Sequence, residues 1–271
     1  MPRPVRQPRR CVPAPGSNCQ APPLAKPPLA KAPLATCQQG NEPNTPRVKV
    51  LITAGPTREA LDPVRYLTNR SSGKMGYALA QALVGAGHSV LLISGPTELD
   101  VPDGVDFLPV ETAAEMYAAV AQSLGRIDIA VFAAAVADYT PVKVASHKIK
   151  KSEAPFTLEL QRTRDILGSA RAELGFSGTL VGFAAETEDL EANARDKLTR
   201  KHCDLIIAND VSKPGIGFGS DRNEVLLVYP EYNEALPPAS KHTLAHHLTS
   251  AILTLHARLE DARLEDSRRK T

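Results

Sequence analysis

Four groups of residues in this 271-residue chain have the types and spacing that suit binding to phosphates. Ser71-Ser72-Gly73 opens a segment of helical spacing, where unpaired backbone N–H groups and the positive end of the helix dipole suit an anion. Lys143, Lys148, Lys150 and Lys151 place four ammonium groups within nine residues. Asp138 follows an apolar run rich in alanine, where small side chains let a ligand reach the backbone. Lys197 and Lys201 stand one helical turn apart. Each group also has an ordinary alternative. These are a serine N-cap, a solvated basic loop, an aspartate capping a turn, and cations at a helix C-terminus, which the dipole favours anyway.

Two common nucleotide loops are excluded. A dinucleotide fingerprint needs G-x-G-x-x-G directly between strand and helix, and the first unit, Ala54–Glu59, has none. A Walker A loop needs Ser or Thr after Gly-Lys, but Gly73-Lys74 is followed by Met75. No Ser-His pair or acidic nucleophile is arranged for covalent catalysis.

The elements that must position these groups alternate from Val48 onward. Val48–Thr53, Ser89–Ile93, Phe107–Val110, Ile127–Val136, Leu180–Ala185, Asp204–Ala208 and Glu224–Tyr229 read as strands. Ile127–Val136 has almost no polar alternation, as expected for a strand covered on both faces. Gly73–Ala86, Thr112–Leu124, Asp165–Leu174, Glu188–Lys201 and Lys241–Leu259 read as helices, the second with a capping box, Thr112 and Glu115. Phe156–Leu160 alternates as half of a small β-hairpin, and Lys143–Ser152 is a mobile basic loop. The expected fold is α/β: a Rossmann-like, doubly wound, mostly parallel sheet with helices on both faces. Ligands in such folds bind beyond the carboxyl ends of the strands, at the point where strand order reverses.

Composition bounds the rest. Twelve of the 23 prolines lie in residues 1–46, with near-repeats of Ala-Pro-Pro-Leu-Ala-Lys and few aromatic or β-branched residues. Such a segment buries too little apolar surface to offset its ordering entropy, so a disordered head is expected there. The folded domain is expected over 47–259, with a charged tail at 260–271. The head holds six of the 32 Lys/Arg and one of the 30 Asp/Glu, leaving 26 and 29, about −3, for the remainder. The overall basic charge therefore gives no reason to expect nucleic-acid binding. No apolar run reaches the ~18 residues of a membrane span, and no apolar core marks a secretory signal. Cys11, Cys19 and Cys37 lack metal-ligand spacing and Cys203 stands alone, which fits a reducing, cytoplasmic compartment.

The run from Leu51 to Gly76 (LITAGPTREALDPVRYLTNRSSGKMG) closely resembles the opening signature of the phosphopantothenoylcysteine synthetase family. Ala133–Tyr139, Lys148–Lys151, Val181–Glu186 and Ala208–Val211 resemble later blocks of that family in the same order, so the likeness covers residues 47–255. The resemblance implies a two-step ligation. The carboxylate of 4′-phosphopantothenate attacks the α-phosphate of CTP, and pyrophosphate leaves. The amine of L-cysteine then displaces CMP from the acyl-cytidylate to form an amide. Mg²⁺ accompanies the CTP, and no residues are assigned to hold a metal.

Carried onto this sequence, the resemblance gives Asn69 a hydrogen bond to the acyl carbonyl of the intermediate and Lys148 a contact with the triphosphate. It places Asp138, Asp165, Phe183, Lys197 and Lys201 around the nucleotide, with Ala133 and Ala134 giving close backbone contact. Ser71, Ser72 and Gly73 form the phosphate cradle. Arg65 reaches the phosphate of phosphopantothenate across the interface of a homodimer. Two departures stand out. The family usually has Asn-Pro-Asp before the helix near residue 165, where this chain has Thr163-Arg164-Asp165. Many bacterial relatives also carry a flavin-dependent decarboxylase on the N-terminal side, which implies a separate decarboxylase partner here or a longer gene product. An NAD(P)-dependent oxidoreductase and a non-catalytic module that binds the decarboxylase are the rival readings.

Overall fold

Unbroken apolar runs form the central strands of the computed structural model, which describes residues 47–151, 155–212 and 219–270. The expected disordered head, residues 1–46, lies outside the described residues. In chain order the elements are β1 (Lys49–Ala54), β2 (Arg58–Ala60), β3 (Tyr66–Thr68), α1 (Lys74–Gly85), β4 (Ser89–Ser94), β5 (Asp106–Pro109) and α2 (Ala113–Ser123). Next come β6 (Ile129–Phe132), β7 (Tyr139–Pro141), β8 (Leu160–Arg162), α3 (Ile166–Ala172), β9 (Thr179–Glu186) and α4 (Leu190–Arg200). β10 (Leu205–Asp210), β11 (Arg222–Val228), β12 (Asn233–Ser240) and α5 (Lys241–Lys270) complete the chain.

The main sheet has eight strands in the order β12-β11-β10-β9-β6-β1-β4-β5. The strands β5, β4, β1, β6, β9 and β10 pair in parallel, and β11 and β12 add antiparallel at one edge. Counted along the chain, the parallel strands run 3-2-1-4-5-6, the Rossmann order, and that order reverses between β1 and β6.

Alternate residues of each strand face opposite layers. On β1, Val50 and Ile52 join the core beneath α1 and α5, with Leu79, Leu83, Leu244, Leu248 and Ile252. Leu51 faces the other core, with Met116 and Val120 of α2, Leu167 of α3 and Leu198 of α4. α2 begins with the expected capping box: Thr112 accepts from the Glu115 N–H, and the Glu115 side chain returns to the cap.

Four boundaries differ from expectation. β6 covers only Ile129–Phe132, because Ile127 closes a 3-10 turn. Beyond Phe132 the chain leaves β9 and follows β1 alone, through Ala133 N–H to Thr53 O (3.1 Å) and Ala135 N–H to Gly55 O (2.9 Å). The expected half-hairpin at Phe156–Leu160 lies later, with Leu160–Arg162 pairing to Tyr139–Pro141. β12 is an additional strand. Its Pro237 and Pro238 disguise it, yet an edge strand tolerates residues that cannot donate to a ladder. Finally, the expected tail is helical, because α5 runs on to Lys270, with an Arg263–Glu260 ion pair along it.

Candidate functional site

A cleft of about 1090 Å³ opens at the carboxyl ends of β1, β6, β9 and β10, where the strand order reverses. Its floor is Thr53, Ala133 and Ala134. The Thr53 carbonyl accepts from Ala133 N–H (3.1 Å), and its hydroxyl accepts from Ala134 N–H (3.3 Å). Small side chains there leave the backbone open to a ligand.

One wall is the start of α1. Gly73 is the N-cap, with φ 75°, and no side chain caps the helix. The serines are therefore not the cap: Ser71 Oγ accepts from Gly73 N–H (3.3 Å), while Ser71, Ser72 and Gly73 all line the cleft. A Cβ on Gly73 would lie 2.8 Å from Thr97 Cγ2 and 3.3 Å from Gly55 Cα, so only glycine fits this turn.

Asn69 closes the near end. Its Nδ2 donates to the carbonyls of Ala135 (3.0 Å) and Val136 (3.1 Å), spanning from the end of β3 to the segment after β6. Asp138 is an exposed carboxylate on the same segment.

The opposite wall belongs to β9 and α4. Lys197 Nζ donates to the Phe183 carbonyl (2.7 Å), and Lys201 pairs with Asp165. Desolvation is the main cause lowering both lysine pKa values, with Glu186 opposing it at Lys197 and Cys203 and Asp138 opposing it at Lys201. Asp165 also caps α3 by accepting from Gly168 N–H (3.0 Å), so it acts on the cleft partly through Lys201. Arg164 lies over the Tyr117 ring, 4.5 Å from its centroid, at the cleft rim. The residue that departs from the family pattern is thereby a held cation. Cys203 is buried behind this wall with its thiol pushed up to about 12, mainly by desolvation, so it is a packing residue and not a nucleophile.

The cleft gathers Asn69, Ser71–Gly73, Ala133, Ala134, Asp138, Asp165, Phe183, Lys197 and Lys201. Lys148 and Arg65 do not line it. Both belong to an arm built from β2–β3, β7–β8 and the basic loop. That loop is tethered at two points. Ala145 N–H donates to Leu61 O (3.0 Å), and Ile149 N–H to Asp62 Oδ2 (3.0 Å).

Lys74, Asn209, Asn223 and Lys241 also line the cleft and were not anticipated. Lys74 Nζ donates to Asp221 Oδ1 (2.6 Å), and that bond holds the Asp221 carboxyl below its usual range. Lys241 is buried, and desolvation lowers its pKa first, with Lys74 adding to the effect. Lys74 and Asn209 stand inside the motif blocks, so a signal existed. Asn223 and Lys241 carried none, because only the antiparallel turn of β11 and the start of α5 bring them here.

Among the described residues no group of His, Cys, Asp and Glu is placed to hold a metal. The carboxylates of the cleft are Asp138, Asp165, Glu186 and Asp196, of which Asp165 is paired with Lys201 and Asp196 with Arg200. Such a donor set fits a divalent cation that arrives on a polyphosphate and keeps most of its ligands there. The arrangement can bind anions, orient a planar group against the backbone and stabilise developing negative charge.

These features define a Rossmann-like α/β domain with a cleft of predominantly cationic lining at its switch point. The chain belongs to the family of the DNA/pantothenate metabolism flavoprotein C-terminal domain, whose model matches residues 46–255. It is 50% identical over 208 residues to the coenzyme A biosynthesis bifunctional protein CoaBC of Bacillus subtilis, covering 76% of this chain and 51% of that one. Against the protein of the same name from Escherichia coli K12 it is 45% identical over 210 residues, 76% of this chain and 52% of the other. The chain thus spans about half the length of the curated relatives it matches. The crystal structure of the C-terminal domain of a CoaBC protein superimposes with TM-score 0.66 at 40% identity, covering 79% of this chain and 96% of that one. A Cab2 mutant in complex with phosphopantothenate-cysteine shares the fold, with TM-score 0.67 at 18% identity over 80% of this chain and 88% of its own.

Proposed function

We propose that this chain ligates 4′-phosphopantothenate to L-cysteine with CTP, through an acyl-cytidylate. The observation that carries this reading is a single cleft into which four separated sequence stretches bring Asn69 with the Ser71–Gly73 cradle, the Ala133–Ala134 backbone, Phe183 and Lys197. The family of bifunctional coenzyme A proteins to which it is similar supports the same reading.

A carboxylate is a poor electrophile, so the first step converts it to a mixed anhydride. The carboxylate oxygen bonds to the α-phosphorus, and the bond to the β-phosphate oxygen breaks. The N–H groups at the start of α1 and the lysines offset charge on the departing pyrophosphate. Mg²⁺ arriving with CTP would supply further countercharge beside these groups. In the second step the cysteine amine attacks the acyl carbon, CMP leaves, and the amine loses a proton. Asn69 steadies the acyl carbonyl oxygen by exchanging one of its two bonds to Ala135 and Val136 for a bond to that oxygen.

The active unit in this reading is a homodimer. Val64, Tyr66, Tyr139, Val142, Val144 and Phe156 are exposed on or beside the arm, an apolar surface suited to a second copy. Arg65 would then meet the phosphate of phosphopantothenate bound by the partner copy. A flavin-dependent decarboxylase that consumes the product is the proposed associate, in the cytoplasm. Pyrophosphate release that requires both CTP and phosphopantothenate tests the assignment. A folded protein releasing none would overturn it, and stabilisation by NADPH but not by CTP–Mg²⁺ would favour an oxidoreductase.

A further inference from the structure

The two oxygens of Asp62 do different work. Oδ1 accepts from the N–H groups of Val64 (2.8 Å) and Arg65 (2.9 Å), closing the turn between β2 and β3. Oδ2 accepts from Arg65 Nε (3.0 Å), Arg65 Nη2 (2.5 Å) and the Ile149 N–H (3.0 Å). Arg65 Nη2 also donates to the Ile149 carbonyl (2.8 Å), so the hairpin grips both N–H and C=O of one loop residue. The Asp62 side chain is wholly buried, while that of Arg65 is about half exposed at 47%. The guanidinium holds the carboxyl well below the usual range, against the opposing effect of burial. A charged acceptor shared by three donors is among the stronger polar tethers available. Ile149 lies next to Lys148, and the same hairpin runs through β3 directly into Asn69.

We propose that Asp62 is a positioning residue that latches the basic loop through Ile149, and so sets Lys148 relative to Asn69. The kinetic part of this inference rests on the ligase reading; the latch itself does not. Asp62 touches no reacting atom. Its effect passes through the Ile149 peptide, and Arg65 completes the clasp from the exposed side.

Asp62→Asn separates the latch from the turn. Asparagine Oδ1 can still close the turn, but its NH₂ would face three donors where Oδ2 now accepts. In the ligand-free protein, hydrogen exchange at Ile149 is expected to rise roughly 10- to 100-fold, as for loss of one charged hydrogen bond. With CTP and phosphopantothenate, pyrophosphate release should slow about tenfold, and combination with Lys148→Gln should cost no more than Lys148→Gln alone, within about twofold. Unchanged exchange at Ile149, or losses that multiply fully, would overturn the latch. If the unmodified protein releases no pyrophosphate, the ligase reading falls while the exchange result still decides the latch. Should Asp62→Asn not fold, Ile149→Pro removes the loop's N–H donor while leaving Asp62 in place, and its ring also fixes the backbone at 149 and restricts Lys148. It must reproduce the kinetic loss, and parental kinetics in it would refute the inference.

Discussion

At the cleft floor, Thr53 and Ala133 directly follow the buried strand residues Ile52 and Phe132, whereas the arm exposes Val64, Tyr66, Tyr139 and Val144. Floor positions are set by two cores and a parallel ladder, so they move only if the sheet moves. The arm has two-stranded sheets too small to be stable alone, and its loop is fixed by bonds to Leu61, Asp62 and Arg65. The two regions should therefore fail differently: the floor through stability, the arm through geometry.

Asn69 stands where the regions meet, and the largest effect is expected there. Asn69→Asp exchanges a donor for an anion beside the Ala135 and Val136 carbonyls, and should slow turnover roughly 10²–10³-fold. CTP affinity, followed by thermal shift with CTP–Mg²⁺, should stay within about threefold of the parent because the floor is untouched. A normal rate of CMP production in this variant would contradict the role given to Asn69.

Gly73→Ala tests the wall that α1 packs against the end of the sheet. Its Cβ meets Thr97 and Gly55 at a φ of 75°, which should cost about 1–3 kcal/mol. Calorimetry should record a fall in Tm of roughly 2–10 °C. Asp62→Asn, on the arm, should shift Tm by less than this. Reversal of that order would remove the contrast.

Lys197→Met probes the opposite wall, since a residue can bind a ligand at the expense of the fold. Desolvation lowers the folded pKa of Lys197 below its unfolded 10.5. At pH below that lowered value the parent carries the full cost of a charged, poorly solvated amine, partly offset by the bond to Phe183 O. As pH rises toward 10.5 the folded amine deprotonates first and the cost fades. Denaturant titrations should place the variant within about 1 kcal/mol of the parent at pH 7, with the parent gaining on it as pH rises. CTP should bind the variant about tenfold more weakly.

Arg164→Pro restores the family's residue and should do least. It removes a cation over Tyr117, worth about 0.5–1 kcal/mol at an exposed site. A change in CTP affinity above about fivefold, measured at two salt concentrations, would instead make Arg164 part of the binding wall.

Much of the fold was legible because its signals are local. The apolar runs of β1 and β9, the capping box of α2 and the helical spacing of α1 each follow from neighbouring residues. β12 was not legible, since Pro237 and Pro238 contradict strand propensity and only an edge position admits them. At the site, the motif blocks were enough to single out Asn69, Ser71–Gly73, Asp138 and Phe183, which the fold brings to one cleft. They could not show that Gly73, not a serine, caps α1, because that depends on a φ fixed by contact with Thr97 and Gly55.

The sequence by itself determined an alternating α/β fold from Val48 onward and its family likeness, because periodicity and motif spacing are properties of adjacent residues. Tertiary structure alone decided that Asn223 and Lys241 join Lys74 at the cleft, since they are about 150 residues or more away in the chain. It alone put Lys148 outside the cleft lining and fastened its loop to Asp62 across 87 residues. Such placements depend on which strand ends and turns the sheet brings together, and no stretch of neighbouring residues encodes that.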